Sequence, residues 1–432
     1  MNDKELLRQM LGITAPWIIK SVELDVAAKR LGIEVECTEE HWADEQGRKL
    51  PIHGYEQRKW RHLDAFQFET VIHGRIPRVR YPNGDGEVTD EDEEDGPPGG
   101  SRGGGKSQGR TALVTVPWAE RYSRFTLLFE RFAIEVMQAC KTLTDATRLL
   151  SISWDEAQRI MDRAVARGLA RRRSVTMPHL GIDEKSFGRG HDYATVLLDL
   201  SRECVHEIGP ERTKEATMAL LNRAIPDKEQ REEVSAVAMD MSAAFAAAVK
   251  EVLPSAAIVY DRFHVSKLLN AAVDQVRRAE HKRQSAQGND SLKDSRYLWL
   301  SAPENLTSER RTEFESVFRR NAVVGRAWTD RENFARFWEC RTESEGRQFF
   351  DRWEAGVFRR KKLEAMKQVA KTLRRHLEGL INYITHPLTN ALAEGLNSLI
   401  AVLKGAARGL KNFANFRTRV LFYLGKLDLY PI

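Results

Sequence analysis

Two aspartates close apolar, strand-like runs: Asp183 ends PHLGID and Asp240 ends VSAVAMD. Strand ends are rigid and the loops beyond them leave room for a ligand, so catalytic groups concentrate there. Two ionised carboxylates brought together repel unless a divalent cation neutralises them, and the pair reads as a Mg2+ site. The 57 positions between them match two intervening strands plus a helix, which sets their strands side by side. Each aspartate also has a plain alternative. Asp183 suits a turn, and Asp240 suits a helix cap shared with Ser242. A third carboxylate completes a two-metal site. Glu394 in TNALAEGLNSLI is the best candidate, an isolated acid on an otherwise uncharged helix with Asn390 and Ser398 four residues to either side. A solvated surface glutamate is the alternative. Spacing alone does not select Glu394 from the other glutamates between Arg262 and Ile432.

The elements that must position these groups follow from periodicity. PHLGID, HDYATVLLDL and ECVHEIG are three short apolar runs divided by turns, as in a meander. The amphipathic TKEATMALLNRAI follows, then the strand VSAVAMD, the Ala-rich helix SAAFAAAVKEVL and the strand AAIVYD. That order predicts an α/β arrangement on a mixed sheet. From Arg262 onward the pattern is helical. A long charged segment from about Glu280 to Thr385 carries Trp299, Trp328, Trp338 and Trp353, and amphipathic helices close the chain.

Ahead of this core lies a different kind of sequence. Phe125, Leu128, Phe129, Phe132, Val136 and Met137 recur at helical intervals as one apolar stripe. TDATRLLSISWDEAQRIMDRAVARGLARRR then predicts a helix-turn-helix: a short helix to Leu150, a turn at Ser151–Ser153, and a second helix capped by Ser153 with Glu156 three residues on. Arg159, Arg163 and Arg167 recur every fourth residue along that helix, and Arg171, Arg172 and Arg173 follow it. A basic second helix favours DNA contact over a merely solvated face. Further upstream, Cys37, His41, His53, His62 and His73 crowd one stretch, and FQFETVIHGRIPRVRYP alternates like strands. Few aliphatics in a small module suggest a metal core, yet Cys37 and His41 form one ligand pair with no second. Hydrogen-bonded histidines are the alternative.

The chain has 432 residues, 42% hydrophobic and 30% charged, with a net charge of +6. That composition excludes global disorder and, at this length, predicts several domains. Four scattered cysteines exclude a disulfide scaffold. No apolar run approaches the ~18 residues of a membrane span, and no leader pattern opens the chain, so a cytoplasmic protein is expected. The charge is unevenly spread. Gly356 to Lys426 holds 14 Lys/Arg against 3 acidic residues, with Lys404, Arg408, Lys411 and Arg417 towards its end, whereas 8 of 11 residues from Asp85 to Asp95 are acidic. Such asymmetry points to a polyanion partner, and the basic segment to phosphate contacts. The acidic run passes into GPPGGSRGGGKSQGR, whose glycines and charge predict a flexible linker.

Several ordered blocks carry a family resemblance. GIDEKSFGRGHDYATVLLDL, VAMDMSAAF, VYDRFHVSKLLNAAVDQVRR and LTNALAEGLNSLIAVLKGAARGLKNFANFRTRVL resemble those of DDE transposases from bacterial insertion sequences, in particular the ISL-three group. VPWAERYSRFTLLFE, before the helix-turn-helix, is similar to that group as well. The resemblance runs from about Val116 to the end and more loosely through the N-terminal module. It implies Asp183, Asp240 and Glu394 as the catalytic triad, holding two Mg2+ ions, for which Mn2+ can substitute. It also implies Asp261 and His264 of YDRFH as groups that shape the site or touch DNA, a structural hydrogen-bonded pair being an equal account.

The implied fold is multidomain α/β plus α. A zinc-finger-like module occupies 1–84, the linker 85–110 and the helix-turn-helix 111–173. An RNase H-like mixed-sheet catalytic core follows at 174–279, with an all-helical insertion at 280–385 and closing core helices at 386–432. The implied activity is transposition: water frees a 3′-hydroxyl at each element end, and that hydroxyl attacks target DNA. Double-stranded DNA is the partner, and coordinated cutting of two ends implies at least a dimer on DNA. Relatives carry paired zinc ligands near the N-terminus. Here Tyr81 stands where a Cys is expected, which counts against a structural zinc, and Arg58, Lys59, Arg61, Arg75, Arg78 and Arg80 would keep the module's DNA role without it. The alternatives are an inactive transposase-derived DNA-binding regulator and an RNase H-like nuclease.

Overall fold

The computed structural model describes residues 3–44, 47–80, 111–172, 176–187, 193–388, 391–406 and 412–432. Tyr81, the 85–110 linker, Arg173, Arg408 and Lys411 lie outside the described residues. The chain divides into two compact units, 1–170 with 428–432, and 171–427. Among the described residues no helix is long and apolar enough to cross a membrane, and the four cysteines are free.

The first unit begins with helix α1 (Asp3–Met10) and six strands, β1 (Trp17–Asp25), β2 (Arg30–Cys37), β3 (His41–Ala43), β4 (Lys49–Arg61), β5 (Glu69–Arg80) and β6 (Thr111–Leu113). They form one sheet in the order β1-β2-β5-β4-β3, with β6 on β5. β2 and β5 run parallel and the other pairs antiparallel. The alternating FQFETVIHGRIPRVRYP is largely β5. What fills this core is aromatic and β-branched: Trp17, Trp60 and Trp118 are buried with Ile33, Val35, Ile72 and Ile76. Trp118 meets Trp17 edge-on at 5.1 Å and Trp60 at 5.5 Å between ring centroids. Such rings bury large areas and add edge-to-face attraction, so the few aliphatics do not leave the module short of a core. Trp118 comes from beyond the linker, and the segments expected as separate modules, 1–84 and 111–173, share one unit up to residue 170.

Three helices complete this unit, α2 (Leu127–Ala139), α3 (Leu143–Leu150) and α4 (Trp154–Ala170). The predicted turn is present. Ser151 takes a left-handed conformation with φ 54°, a Ser153 N–H donates to Glu156 Oε2 at 2.8 Å, and Glu156 N–H donates back to Ser153 Oγ at 3.2 Å. This reciprocal pair satisfies donors that the first turn of a helix leaves open. On α2 the buried face is Phe129, Glu130, Ala133, Ile134 and Met137, whereas Leu128 (43%) and Phe132 (46%) are exposed. The predicted stripe is therefore rotated. An acid turns inward because two arginines of α4 receive it.

The second unit holds the predicted meander: β7 (His179–Ser186), β8 (Tyr193–Asp199) and β9 (Cys204–Pro210). Then come α5 (Lys214–Ala224), α6 (Lys228–Glu232), β10 (Ala236–Met239), α7 (Ala243–Val252) and β11 (Ala257–Tyr260). The sheet order is β11-β10-β7-β8-β9. β7, β8 and β9 pair antiparallel, and β10 pairs parallel with both β7 and β11. β10 is buried at all four residues, as a parallel strand covered on both faces should be.

The remainder is helical among the described residues: α8 (Arg262–Ser285), α9 (Arg296–Leu300), α10 (Ser308–Arg320), α11 (Ala322–Ala335), α12 (Glu343–Arg359), α13 (Glu364–Arg375), α14 (Leu377–Thr385), α15 (Ala391–Ala406) and α16 (Phe413–Leu424). One buried cluster runs from Leu180 and Val237 of the sheet through Val273 of α8 to Phe350 and Ile381. The helical stretch is thus packed onto the sheet as part of one core. Gly379 of α14 lets the Tyr260 ring approach so closely that a Cβ there would lie 2.4 Å from it. Tyr260 immediately precedes Asp261, so this contact helps to set the end of β11.

Candidate active site

Register places the acids. Met239 of β10 sits opposite Ile182 of β7 and opposite Tyr260 of β11. The residues that follow are Asp240, Asp183 and Asp261, so three aspartates occupy equivalent positions on three neighbouring parallel strands spaced ~4.8 Å apart. The alternatives for the first two fall away. Asp183 is inside β7, paired with Val196 of β8, and not in a turn. The cap of α7 is Ser242, whose Oγ accepts from Phe245 N–H.

Asp261 is buried and caps α8, accepting from Phe263 N–H at 3.1 Å through Oδ1. His264, one turn into α8, places Nδ1 2.7 Å from Asp240 Oδ1 and 3.1 Å from Asp261 Oδ2. These three can each bring one ligand atom within 4.8 Å of the others, and they are the group of this kind found among the described residues. Hydrogen bonds to Asp240, then Asp261, raise the His264 pKa to about 10, so an imidazolium lies between two carboxylates at neutral pH.

A testable pH dependence follows. The folded pKa of His264 lies above its ordinary 6.5, so its contribution to stability is complete below pH 6.5 and is lost as pH rises through about 10. In metal-free protein, the stability gap between wild type and His264→Gln should be widest near pH 6 and close by about pH 10 in denaturant titrations. A gap that widens with pH contradicts the pairing.

Asp183 has a different environment. Its Oδ1 accepts from Glu184 N–H at 2.7 Å, and its Oδ2 from Asn397 Nδ2 of α15 at 2.5 Å. Burial first, and then the Asp240 charge, push its pKa up to about 6 against those bonds. Glu394, the third expected carboxylate, lies in the first turn of α15 and is exposed. Neither Glu394 nor Asp183 belongs to the Asp240–Asp261–His264 group, and the residue of α15 that reaches an acid is Asn397, on Asp183. Oxygen donors from clustered carboxylates suit a hard divalent cation. Asp183 and Asp240 follow paired positions on neighbouring strands, and each keeps carboxylate lone pairs beyond its present hydrogen bonds. The residues fit such an ion.

The expected DNA-contacting cations are placed unevenly. Arg159 is exposed on α4. Arg163 Nε donates to Glu130 at 3.0 Å, and Arg167 bonds both Glu130 and Glu120. Arg171 is half-buried. Arg172 donates to the His206 carbonyl at 2.8 Å, and burial lowers its pKa. Lys404 Nζ donates to the Ser186 carbonyl at 2.9 Å, and Arg417 grips both oxygens of Glu207. In the first unit Arg58 and Arg78 share Glu56, Arg61 pairs with Asp64, Arg75 lies over the Tyr55 ring and Arg80 approaches His53, while Lys59 is exposed.

The expected zinc ligands Cys37 and His41 are placed as follows. Cys37 is half-buried with its thiol pKa raised by that burial, and His41 is exposed at the start of β3. No three ligand-type side chains close in on a common point there among the described residues.

Comparison with known proteins converges on one family. Residues 180–420 match a family model described as a transposase, residues 114–165 the helix-turn-helix domain of transposase family ISL3, and residues 46–84 the zinc-finger of transposase IS204/IS1001/IS1096/IS1165. The last stretch contains no cysteine. A transposase for insertion sequence element IS1001 from Bordetella parapertussis is 26% identical over 373 residues, covering 85% of each chain. A transposase for IS1557 from Mycobacterium tuberculosis (strain CDC 1551 / Oshkosh) is 25% identical over 444 aligned residues, covering 95% of this chain and 93% of the relative. A helix-turn-helix joined to an α/β core with clustered acids describes a DNA-processing enzyme. The chain belongs to the ISL3 family of DDE transposases. Membership implies use of a divalent metal.

Proposed function

We propose that the protein binds the ends of an insertion sequence and carries out Mg2+-dependent cleavage and 3′-hydroxyl strand transfer, with Asp183, Asp240 and Glu394 as the metal-holding acids. The observation that carries this reading is the alignment of Asp183 and Asp240 one residue past the last paired positions, Ile182 and Met239, of parallel β7 and β10, with the helix bearing Glu394 docked on β7. The sheet order, a three-stranded antiparallel meander extended by two parallel strands, supports an RNase H-like core. Two Mg2+ ions held by these carboxylates, or Mn2+ in their place, would activate the attacking oxygen and stabilise the leaving one.

The chain's own part is to hold charge in place. His264 keeps a proton between Asp240 and Asp261 and so fixes the Asp240 carboxylate. Asp183 must be ionised to take a cation, which its pKa of about 6 permits at neutral pH. End recognition falls to the helix-turn-helix through Arg159 and to the exposed side of β4 and β5 through Lys59 and Arg75, with double-stranded DNA as partner and a dimer cutting both ends.

An oligonucleotide carrying the element's end, incubated with the full chain and Mg2+, tests this. Cleavage followed by joining to target DNA supports it. Cleavage without joining indicates a nuclease. Binding alone indicates an inactive DNA-binding regulator, the alternative to which the sparse zinc-ligand pattern lends slight support.

A further inference from the structure

We infer that Asn397 is a positioning residue of the site, holding the Asp183 carboxylate for a divalent cation and docking α15 along β7 so that Glu394 is delivered beside the two aspartates. The inference rests on the metal-site reading above.

Its first support is the Asn397–Asp183 bond itself. Asp183 receives one N–H on each oxygen, from Glu184 and from Asn397. An ionised carboxylate has about four acceptor positions, so both bonds fix its orientation and still leave lone pairs for a cation. The amide can sit only one way round. Turned over, its oxygen would face a carboxylate oxygen and the two acceptors would repel.

The second support is an unused polar atom. With Nδ2 committed to Asp183, Asn397 Oδ1 is buried and has no hydrogen-bond partner. A buried acceptor without a donor costs about 1–3 kcal/mol. Beside a cluster of acids it is suited to accept from water carried by a bound cation.

The third support is geometric. Lys404 of α15 donates to the carbonyl of Ser186 on β7. From Asn397 to Lys404 the helix rises ~10.5 Å, and from Asp183 to Ser186 the strand advances ~10 Å. The matched lengths show α15 running alongside β7 in the same direction, pinned at two points. Glu394, three residues before Asn397, is its neighbour on the same side of the helix. One helix thus carries both the third acid and the group that grips the first.

The test uses the full chain and Mn2+ alone, with affinity read by the paramagnetic resonance of free Mn2+. Asn397→Ala should weaken Mn2+ binding ~10–100-fold, as loss of an outer-shell partner typically does, with end-DNA binding unchanged. Its effect should be non-additive with Glu394→Gln, because both act through the placement of α15. Wild-type Mn2+ affinity in Asn397→Ala, or strictly additive losses, overturns the inference. If Asn397→Ala misfolds, Asn397→Ser, too short to reach Asp183, replaces it with the same expectation. Asp183→Asn and Asp240→Asn separate the two levels. If they bind Mn2+ like wild type, the metal-site reading fails. If they lose binding while the Asn397 variants keep it, the positioning role fails alone.

Discussion

Asp183→Asn, Asp240→Asn and Glu394→Gln should each lower cleavage and joining by at least ~10³-fold, since metal-held charge contributes several kcal/mol to such transition states. End binding should stay close to wild type, because the helix-turn-helix and phosphate contacts do not involve these acids. Asp183→Asn carries a second expectation of opposite sign. The Asp183 pKa rises in the folded protein to about 6 from 3.8. A raised acid makes the ionised form a liability, so folded stability falls as pH rises from 3.8 through 6. Above that window Asp183→Asn should be more stable than metal-free wild type, on the order of 1–2 kcal/mol after allowance for partial exposure. The gain should vanish towards pH 4. Denaturant titrations at several pH values, paired with a cleavage assay, check both. A variant that cleaves normally removes its residue from the triad, and an Asp183→Asn protein less stable at pH 8 contradicts the burial of an ionised carboxylate at this position.

Glu130→Ala should be the most damaging single change in the first unit, costing ~3–5 kcal/mol. Glu130 is fully buried. It accepts from Ser123 Oγ at 2.7 Å and forms ion pairs with Arg163 and Arg167. The Arg167 side chain is only 8% exposed, so removing the acid leaves its guanidinium with Glu120 as the remaining carboxylate and takes from Arg163 the buried acid it donates to. Glu130→Gln keeps the shape and loses the charge, and should fall between. Denaturant titrations followed by tryptophan fluorescence measure the loss, with Trp17, Trp60 and Trp118 reporting this unit and Trp299, Trp328, Trp338 and Trp353 the other. The same geometry separates the arginines of α4. Arg163→Ala should lower stability, whereas Arg159→Ala should weaken DNA binding and leave stability unchanged. A cost below ~1 kcal/mol for Glu130→Ala would show that the buried pairs are not coupled as described.

Much of the core was legible because local rules and tertiary structure agree there. Three short apolar runs with turns between them can only fold back on one another, and VSAVAMD, apolar without alternation, belongs where both faces are covered. Asp183 and Asp240 stood out because each ends such a run. The reciprocal Ser153–Glu156 cap is a local motif and appears as read. What stayed hidden depends on partners remote in sequence. Helical periodicity put Leu128 and Phe132 on the buried stripe of α2, but Arg163 and Arg167, more than thirty residues away, draw Glu130 inward and rotate the face. The even spacing that made Arg159, Arg163 and Arg167 look like one DNA-facing row says nothing about which of them meets an internal acid. Asn397 left a faint signal, a single amide on the apolar stretch LAEGLNSLI, with nothing local to name Asp183 as its partner. The aromatic core of the first unit was missed because aliphatic content was counted, whereas Trp17, Trp60 and Trp118 supply much of the buried area.

When DNA is engaged, divalent ions should sit against Asp183 and Asp240. Anomalous scattering from Mn2+ in crystals of the full chain with end DNA measures it directly. Two peaks are predicted, each within ~2.6 Å of its carboxylate oxygens, one set including Asp183 and Asp240, with Glu394 turned in from solvent to complete the coordination. Peaks that avoid Asp183 and Asp240, or a Glu394 that remains directed at solvent beside occupied metal sites, would contradict the account.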